Sequence, residues 1–459
     1  MARARYLLDA AVELLGALWR FVRRRAVLCV SAAAAAVSMV LVPPDAAYAG
    51  YLDVRTIICL FCILAVAGAL RNMGAFERAA RAMVARFSTP RSAVFALVGA
   101  TMVLSMFATN DMALIMMLPL AAAALIRAEW VSLIPFTFVM LGLTANLGGM
   151  IMPFGNPQNL YLYSYYALDV AGFLRALAVP FAVSMLLVVG CCAVRLRTRA
   201  VATGALGVRR TGDARRADAA AGADGGVARG DAAGADLAAP GAGAGAGAPA
   251  AENARSAAAS AANGGARAAA SAAERPLDKR RLAVLLVLLG ATIASVLRVV
   301  PAVAALAAVV AVLAAIDRRA LRQVDYALLL TFVCFFVFAG NLARIPAVND
   351  VVGGLMGSYP LLVSAGLSQV ISNVPAAVLL SHFTDAWQPL LVGVNIGGAG
   401  TLVGSLASLI TLQHFTSVAR LSSVRAAGGL ATGRFLAIFF SYNVAFLAIL
   451  LLVSSVALV

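Results

Sequence analysis

Composition and one duplicated motif together predict an all-α polytopic membrane protein. It is built as two inverted repeats, each with a re-entrant helical hairpin and a discontinuous transmembrane helix. Hydrophobic residues make up 63% of the chain and charged residues only 12%, whereas soluble domains sit near ~25% charged. Mean hydropathy is +0.94, and apolar runs of spanning length recur along the sequence. A set of polar residues and glycines also occurs twice with the same order and spacing. The first copy is Leu104-Ser105-(x3)-Thr109-Asn110, then Asn146-Leu147-Gly148-Gly149-(x5)-Gly155-Asn156. The second is Leu367-Ser368-(x3)-Ser372-Asn373, then Asn395-Ile396-Gly397-Gly398-(x5)-Gly404-Ser405. Polar groups and helix breakers at membrane depth are costly. A duplicated set in corresponding halves points to a binding site where two repeats meet.

The net charge is +16 and the isoelectric point is near 10.5, values that invite a nucleic-acid reading. The arginines argue against it, because they sit in loops between apolar runs, as the positive-inside rule places them. Residues 1–25 read as an N-terminal cytoplasmic segment, with Tyr6 to Phe21 an amphipathic helix on the membrane surface. Arg23, Arg24 and Arg25 hold this end inside. Ala26 to Val42, followed by Ala47-Tyr48-Ala49, has the shape of a signal peptide. In a multi-spanning chain with so long a basic start, a retained first span over 26–42 is preferred.

Residues 26–195 form the first membrane repeat. A span over about 51–70 follows the first. Phe76 to Phe87, with Glu77, Arg78, Arg81 and Arg86, predicts a helix lying on the cytoplasmic face. The stretch 93–126 is apolar except at Thr109-Asn110-Asp111 and is flanked by Arg91 and Arg127. Basic residues at both ends predict a hairpin that enters and leaves from the cytoplasm. The stretch 132–170 is interrupted by Gly148, Gly149, Pro153, Gly155 and Pro157, which withdraw backbone hydrogen bonds from a helix. A span over 172–194 returns to Arg195, Arg197 and Arg199, again inside.

Residues 196–281 read as a disordered cytoplasmic linker. From about Thr198 to Pro276 the chain is mainly Ala, Gly, Arg and Asp and offers too little apolar surface to fold. Residues 282–459 form the second membrane repeat. Spans at about 282–298, 301–316 and 326–343 end outside, so a hairpin over 360–384 opens from the outside. A broken helix over 388–416 returns to Arg420, Arg425 and Arg434, and a last span covers 435–457. Counting crossings between basic loops thus gives the two halves opposite orientation.

At each hairpin tip two half-helices end, and their backbone groups are free to meet a ligand. Ser105 and Thr109 lie four apart, as do Ser368 and Ser372, so each pair shares one helix face. Hydroxyls, an Asn carbonyl and unwound carbonyls form an oxygen cage suited to a small hard cation. The exposed amides of the following half-helices suit an anion. The competing reading makes Asn110 and Asn373 simple helix caps. Asp111 has Val374 as its counterpart. It is either a proton or cation site or an N-cap carboxylate favoured by the helix dipole. His382 and His414 titrate near neutral pH when unperturbed and are secondary candidates for coupling. All six cysteines fall in apolar runs. Cys59-x-x-Cys62 has no second pair or His partner and reads as packing. No phosphate-binding loop and no helical His/Glu metal pair is present, so an enzyme reading finds no support.

With these residues the chain resembles the ion transporter superfamily of citrate-transporter-like permeases. That superfamily includes divalent anion:sodium symporters and the arsenical pump membrane subunit. The symporters carry Ser-Asn-Thr at each hairpin tip, where this chain has Thr109-Asn110-Asp111 and Ser372-Asn373-Val374. Asn146 to Asn159 resembles the Gly-Gly…Thr-Pro-x-Gly stretch of the arsenite and citrate permeases. Ser372-Asn-Val-Pro-Ala-Ala377 and Gly397-Gly-Ala-Gly-Thr-Leu-Val-Gly404 resemble its second copy. The similarity covers about 50–195 and 282–458.

The resemblance implies a scaffold domain, a mobile transport domain and a homodimer in a lipid bilayer. It implies secondary active transport of a small anion, such as citrate, another dicarboxylate or an inorganic oxyanion, across the inner membrane. Coupling would be to Na⁺ or H⁺, with no cofactor beyond Na⁺ and no nucleic acid. Cation ligands would come from Ser105, Thr109, Asn110, Asp111 and Gly149, and from Ser368, Ser372, Asn373 and Gly398. Substrate would meet Thr109, Asn110, Asp111, Asn156, Ser372, Asn373 and Ser405. Asp at 111 and Val at 374 remove two hydroxyls expected to bind a carboxylate, and a charged Asp111 repels an anion. That leaves room for an arsenite/antimonite efflux permease, with a separate ATPase subunit if pump-like, or for a cation/proton antiporter. A membrane scaffold without transport is the alternative of another class.

Overall fold

The computed structural model describes residues 25–76, 78, 82, 89–221, 278–426 and 428–458. Among them every regular element is helical and there is no strand. The chain divides into two compact units, residues 1–188 with 266–459, and Val189–Gly265. The expected amphipathic helix over 6–21 lies outside the described residues, and the one over 76–87 mostly does.

In chain order the first half contains α1 (Ala26–Leu41), α2 (Val54–Asn72), α3 (Pro90–Ala108), α4 (Asn110–Arg127), α5 (Ile134–Gly148), α6 (Pro157–Tyr165) and α7 (Val170–Ala221). The second contains α8 (Lys279–Val296), α9 (Ala302–Ile316), α10 (Arg318–Arg322), α11 (Tyr326–Ala343), α12 (Pro346–Ser358), α13 (Pro360–Ile371), α14 (Asn373–Leu380), α15 (Trp387–Ile396), α16 (Leu406–Ala419), α17 (Ser422–Ala426) and α18 (Thr432–Ala457). Seven helices among the described residues are long and apolar enough to cross a membrane, or eight if the bent pair α12–α13 counts as one. The chain is therefore a multi-pass helical membrane protein. At 16 and 15 residues, α1 and α9 fall short of the ~20 residues a full crossing needs.

Acidic residues set several helix starts. The Asp53 carboxylate accepts from the Thr56 amide at 3.0 Å and from its hydroxyl at 2.6 Å. Asp278, Asp317 and Asp325 likewise accept from first-turn amides of α8, α10 and α11. Such caps satisfy donors that the helix itself cannot. Thr89 and Ser92 form a reciprocal capping box at α3, with Pro90 at the first turn.

Helix α5 is buried over its whole length except at Gly142, as an all-round apolar helix must be. It packs on α3, α4, α16 and α18. The breaks between α5 and α6 and between α15 and α16 place two half-helices from each half side by side. α5 packs on α16 and α6 on α15. The arms α4 and α14 follow the same exchange, α4 packing on α16 and α14 on α6.

Two elements differ from expectation. Helix α12 fills 346–358, a stretch to which the sequence reading assigns no element, and meets α13 at 120°. Its Asn349, Asp350, Gly353 and Gly354 hide the helical pattern. Helix α7 continues to Ala221, into the stretch read as a disordered linker. That stretch is rich in Ala and Arg, both strong helix formers. Residues 222–277 lie outside the described residues.

Candidate functional site

The site grows from two abrupt chain reversals. A single residue, Thr109, separates α3 from α4, with φ 67° and ψ 153°. Ser372 separates α13 from α14 in nearly the same conformation, with φ 76° and ψ 157°. This region is essentially reserved for glycine and costs an L-residue about 1–3 kcal/mol. Neither residue caps the helix that follows with its side chain. Nor does Asn110 or Asn373, so the capping reading of the two Asn finds no hydrogen bond to support it.

At the first break, Asn110 and Asn156 are buried, at 8% and 1% exposure. Asn110 Nδ2 donates to Asn146 Oδ1 at 3.4 Å, and Asn156 Nδ2 donates to the Asn146 carbonyl at 3.5 Å. Both Oδ1 atoms lack any hydrogen-bond partner. They converge on the bare face of Gly149, where a Cβ would lie 2.5 Å from Asn110 Oδ1 and 2.6 Å from Asn156 Oδ1. The Ser105 carbonyl oxygen stands 3.1 Å from the same point. Neutral amide and peptide oxygens without a donor, gathered at one point of the fold, are the ligand type a hard cation takes. Glycine at 149 is what lets them approach. At Gly155 a Cβ would run into the Gly149 carbonyl oxygen.

The Ser105 hydroxyl does not join this cluster, since it donates to the Met102 carbonyl at 2.9 Å. It is the backbone carbonyl of Ser105 that faces Gly149. Thr109 is buried at 7% exposure. Asp111 lies in the first turn of α4, partly buried, with no hydrogen bond or ion pair among the described residues. Its neighbour Met112 receives Arg71 Nη1 on its sulfur at 3.2 Å.

The second break is wired differently. The Asn373 amide donates to the Gly404 carbonyl at 3.1 Å. The Ser372 hydroxyl lies 3.4 Å from Asn373 Oδ1 and 3.5 Å from the Gly404 carbonyl. The Ser368 hydroxyl donates within α13 to the Ser364 carbonyl at 2.8 Å. Gly398 abuts the Asn146 carboxamide. Ser405 caps α16 by accepting from the Ala407 amide and donates to Asn146 Oδ1 at 3.2 Å. That last bond joins the two halves. Asn395 Nδ2 makes a second joint, donating to Asn159 Oδ1 at 2.6 Å, and Gln158 Nε2 donates to Asn395 Oδ1 at 3.4 Å.

Of the expected residues, Asn110, Asn156, Ser405 and Gly398 gather around Asn146, and the Ser105 carbonyl lies with Asn110 and Asn156 beside Gly149. Ser372 and Asn373 gather around the Gly404 carbonyl, and Ser368 lies beside Gly397. Gln369, Gln158, Asn159 and Asn395 are participants that sequence reasoning did not assign to the site. Gln369 sits in the spacer of the Ser368-(x3)-Ser372 motif, and a long amide inside an apolar run was the available signal. His382 packs edge-on against Tyr165 at 5.4 Å, and His414 Nδ1 lies 3.1 Å from the Ile410 carbonyl within α16. Cys59 and Cys62 are buried and unpaired, Cys59 lying 3.9 Å from the Ser295 hydroxyl.

Comparison with known proteins places these motifs in context. The family model described as "Citrate transporter" matches residues 14–390. The inner membrane protein YbiR of Escherichia coli K12 is 28% identical over 371 residues, which is 79% of this chain and 80% of that protein. The uncharacterized transporter MJ0456 of Methanocaldococcus jannaschii is 48% identical over 117 residues. That match covers 25% of this chain and 30% of that protein.

Proposed function

The chain belongs to the citrate transporter family, and from that premise we propose that it is a secondary transporter moving a small anion by alternating access, driven by a co-transported cation. It is a membrane permease, not an enzyme. The observation that carries the cation step is the pair of buried, unpartnered oxygens on Asn110 and Asn156. A buried acceptor without a donor costs about 1–3 kcal/mol, and a bound cation removes that cost. In this reading Asn110, Asn156 and the Ser105 carbonyl hold the ion beside Gly149. Thr109, Ser372, Asn373 and Ser405 face the substrate, whose charge is met by first-turn amides of α4 and by the helix dipole.

The architecture fits two inverted repeats, with α3–α4 and α13–α14 as re-entrant hairpins and α5/α6 and α15/α16 as broken helices. The matching conformations of Thr109 and Ser372 support this, as does the exchanged packing of α4 and α14. An inner-membrane location with N-terminus and linker in the cytoplasm follows from the arginine distribution, and a homodimer from the family resemblance. Citrate or another dicarboxylate heads the substrate list, followed by inorganic oxyanions. A second reading, cation/proton antiport, is favoured by Asp111, a carboxylate without a partner where the anion would approach.

The test is uptake by proteoliposomes of labelled citrate, succinate, phosphate and arsenite, with Na⁺, proton and no gradients imposed in turn. Gradient-driven accumulation of one anion, lost in Asn156→Ala, supports the proposal. Cation/proton exchange without any anion flux would replace it with the antiport reading. No flux under any gradient would leave a membrane scaffold.

A further inference from the structure

The two breaks share a motif and a backbone conformation, yet their polar atoms are spent differently. At the first, two buried amide oxygens stand open beside Gly149. At the second, Gln369 reaches from α13 into the loop 397–404. Its Nε2 donates to the Gly397 carbonyl at 2.6 Å and to the Ala365 carbonyl at 3.0 Å. Its Oε1 accepts from the Thr401 amide at 2.8 Å, and the Thr401 hydroxyl donates to the Gln369 carbonyl at 2.9 Å. Gly400, at φ 118°, presses its bare face against Gln369 Oε1. Asn373 Oδ1 is not orphaned, since the Ser372 hydroxyl lies 3.4 Å from it. By register the residue in the place of Gln369 in the first copy is Met106, whose thioether is only a weak acceptor and donates nothing. The loop of the first copy therefore has no such plug.

We propose that one coupling cation binds per chain, at the first break, and that the second break is closed to an ion by side-chain carboxamides: Asn146 lies against Gly398, the counterpart of Gly149, and Gln369 fills the loop 397–404 as a built-in plug. The amide N–H groups satisfy the carbonyl oxygens that an ion would otherwise collect, and the amide oxygen serves the Thr401 N–H. The ligands left open at the first break are neutral amide and peptide oxygens. Such groups do not take up a proton in the accessible pH range, so the ion is a small metal cation and Na⁺ is the probe. The inference rests on the cation-coupled reading above and adds the number of ions and the half that holds them.

The experiment is thermal unfolding of the purified full chain against NaCl, with choline chloride holding ionic strength constant. At saturation the slope of log unfolding constant against log Na⁺ concentration counts the ions released on unfolding. A limiting slope of one is expected for the wild type and zero for Asn156→Ala. Gln369→Ala and Gln369→Met, the latter copying Met106, should raise the slope toward two. The wild-type slope needs no variant to fold. A wild-type slope of two overturns the inference and leaves cation coupling standing. A slope of zero removes the inference together with a Na⁺ site at the first break, and leaves only proton coupling. A slope that stays at one in both Gln369 variants refutes the role of Gln369 as a plug.

Discussion

Thr109 and Ser372 hold the same glycine-type backbone conformation, one at each break, although neither is glycine. The strain is local and its removal is measurable. Thr109→Gly frees the backbone of about 1–3 kcal/mol, set against roughly 0.5–1 kcal/mol of added chain entropy in the unfolded state and about 0.8 kcal/mol per buried methyl lost. The expected result is unchanged or slightly higher thermal stability in detergent. A loss above about 2 kcal/mol would contradict the strain. Thr109→Val keeps the strain and removes the hydroxyl, so transport should fall without a gain in stability.

Asn110→Ala and Asn156→Ala should each abolish cation-driven flux while the protein still inserts in the membrane. One ligand oxygen at about 1–3 kcal/mol corresponds to roughly 5- to 150-fold weaker cation binding. Gly149→Ala should do the same by a different route, because its Cβ would sit 2.5 and 2.6 Å from the two amide oxygens. Wild-type flux at saturating cation in all three variants would remove the site from this position.

Asp111→Asn separates a titrating role from an architectural one. The amide keeps shape and cannot exchange a proton at accessible pH. If Asp111 carries a proton, the pH dependence of flux flattens in the variant. If it only shapes the start of α4, the two pH profiles run parallel. Flux against pH in both proteins decides.

Outside the spanning helices, Arg344 Nη2 lies 2.7 Å from Asp45 Oδ2. The Arg344 guanidinium holds the Asp45 carboxyl below its ordinary value of 3.8. A carboxyl whose folded pKa is depressed stabilises the fold above its unfolded pKa and loses that contribution as pH falls through the folded value. Acid sensitivity below 3.8 should therefore shrink in Arg344→Ala. The effect is small, because both groups are exposed. Unfolding midpoints across acid pH in the two proteins measure it, and identical slopes would dismiss the pair.

The breaks and most of the long apolar helices were legible because water-seeking side chains inside apolar runs have few structural excuses, whereas α1 and α9, read as spans, are only 16 and 15 residues long. Ser105, Asn110, Gly149 and Asn156 stood out on that ground alone. What escaped was anything whose role depends on reach across the fold. Gln369 reads as spacer in the sequence, and only the fold sets its amide between the Gly397 carbonyl and the Thr401 N–H. Helix α12 was hidden by Gly353 and Gly354, which weaken helix propensity without preventing a helix in this setting. The helical extension of α7 toward Ala221 was missed because low hydrophobicity argues against a packed core and says nothing against a helix rich in Ala and Arg.

Asn146 Oδ1 serves two masters, accepting from Asn110 of its own half and from Ser405 of the other. A ligand that draws the Asn110 carboxamide toward itself must weaken or tighten the bond to Ser405, and one that engages Ser405 must act back on Asn110. Linked equilibria are reciprocal, so the free energy passed in one direction equals that passed in the other. The driving ion and its cargo would then read each other's presence through a single shared oxygen, and Asn146→Ala should uncouple them, leaving each able to bind but deaf to the other. Cargo affinity measured with and without Na⁺ in that variant would show it.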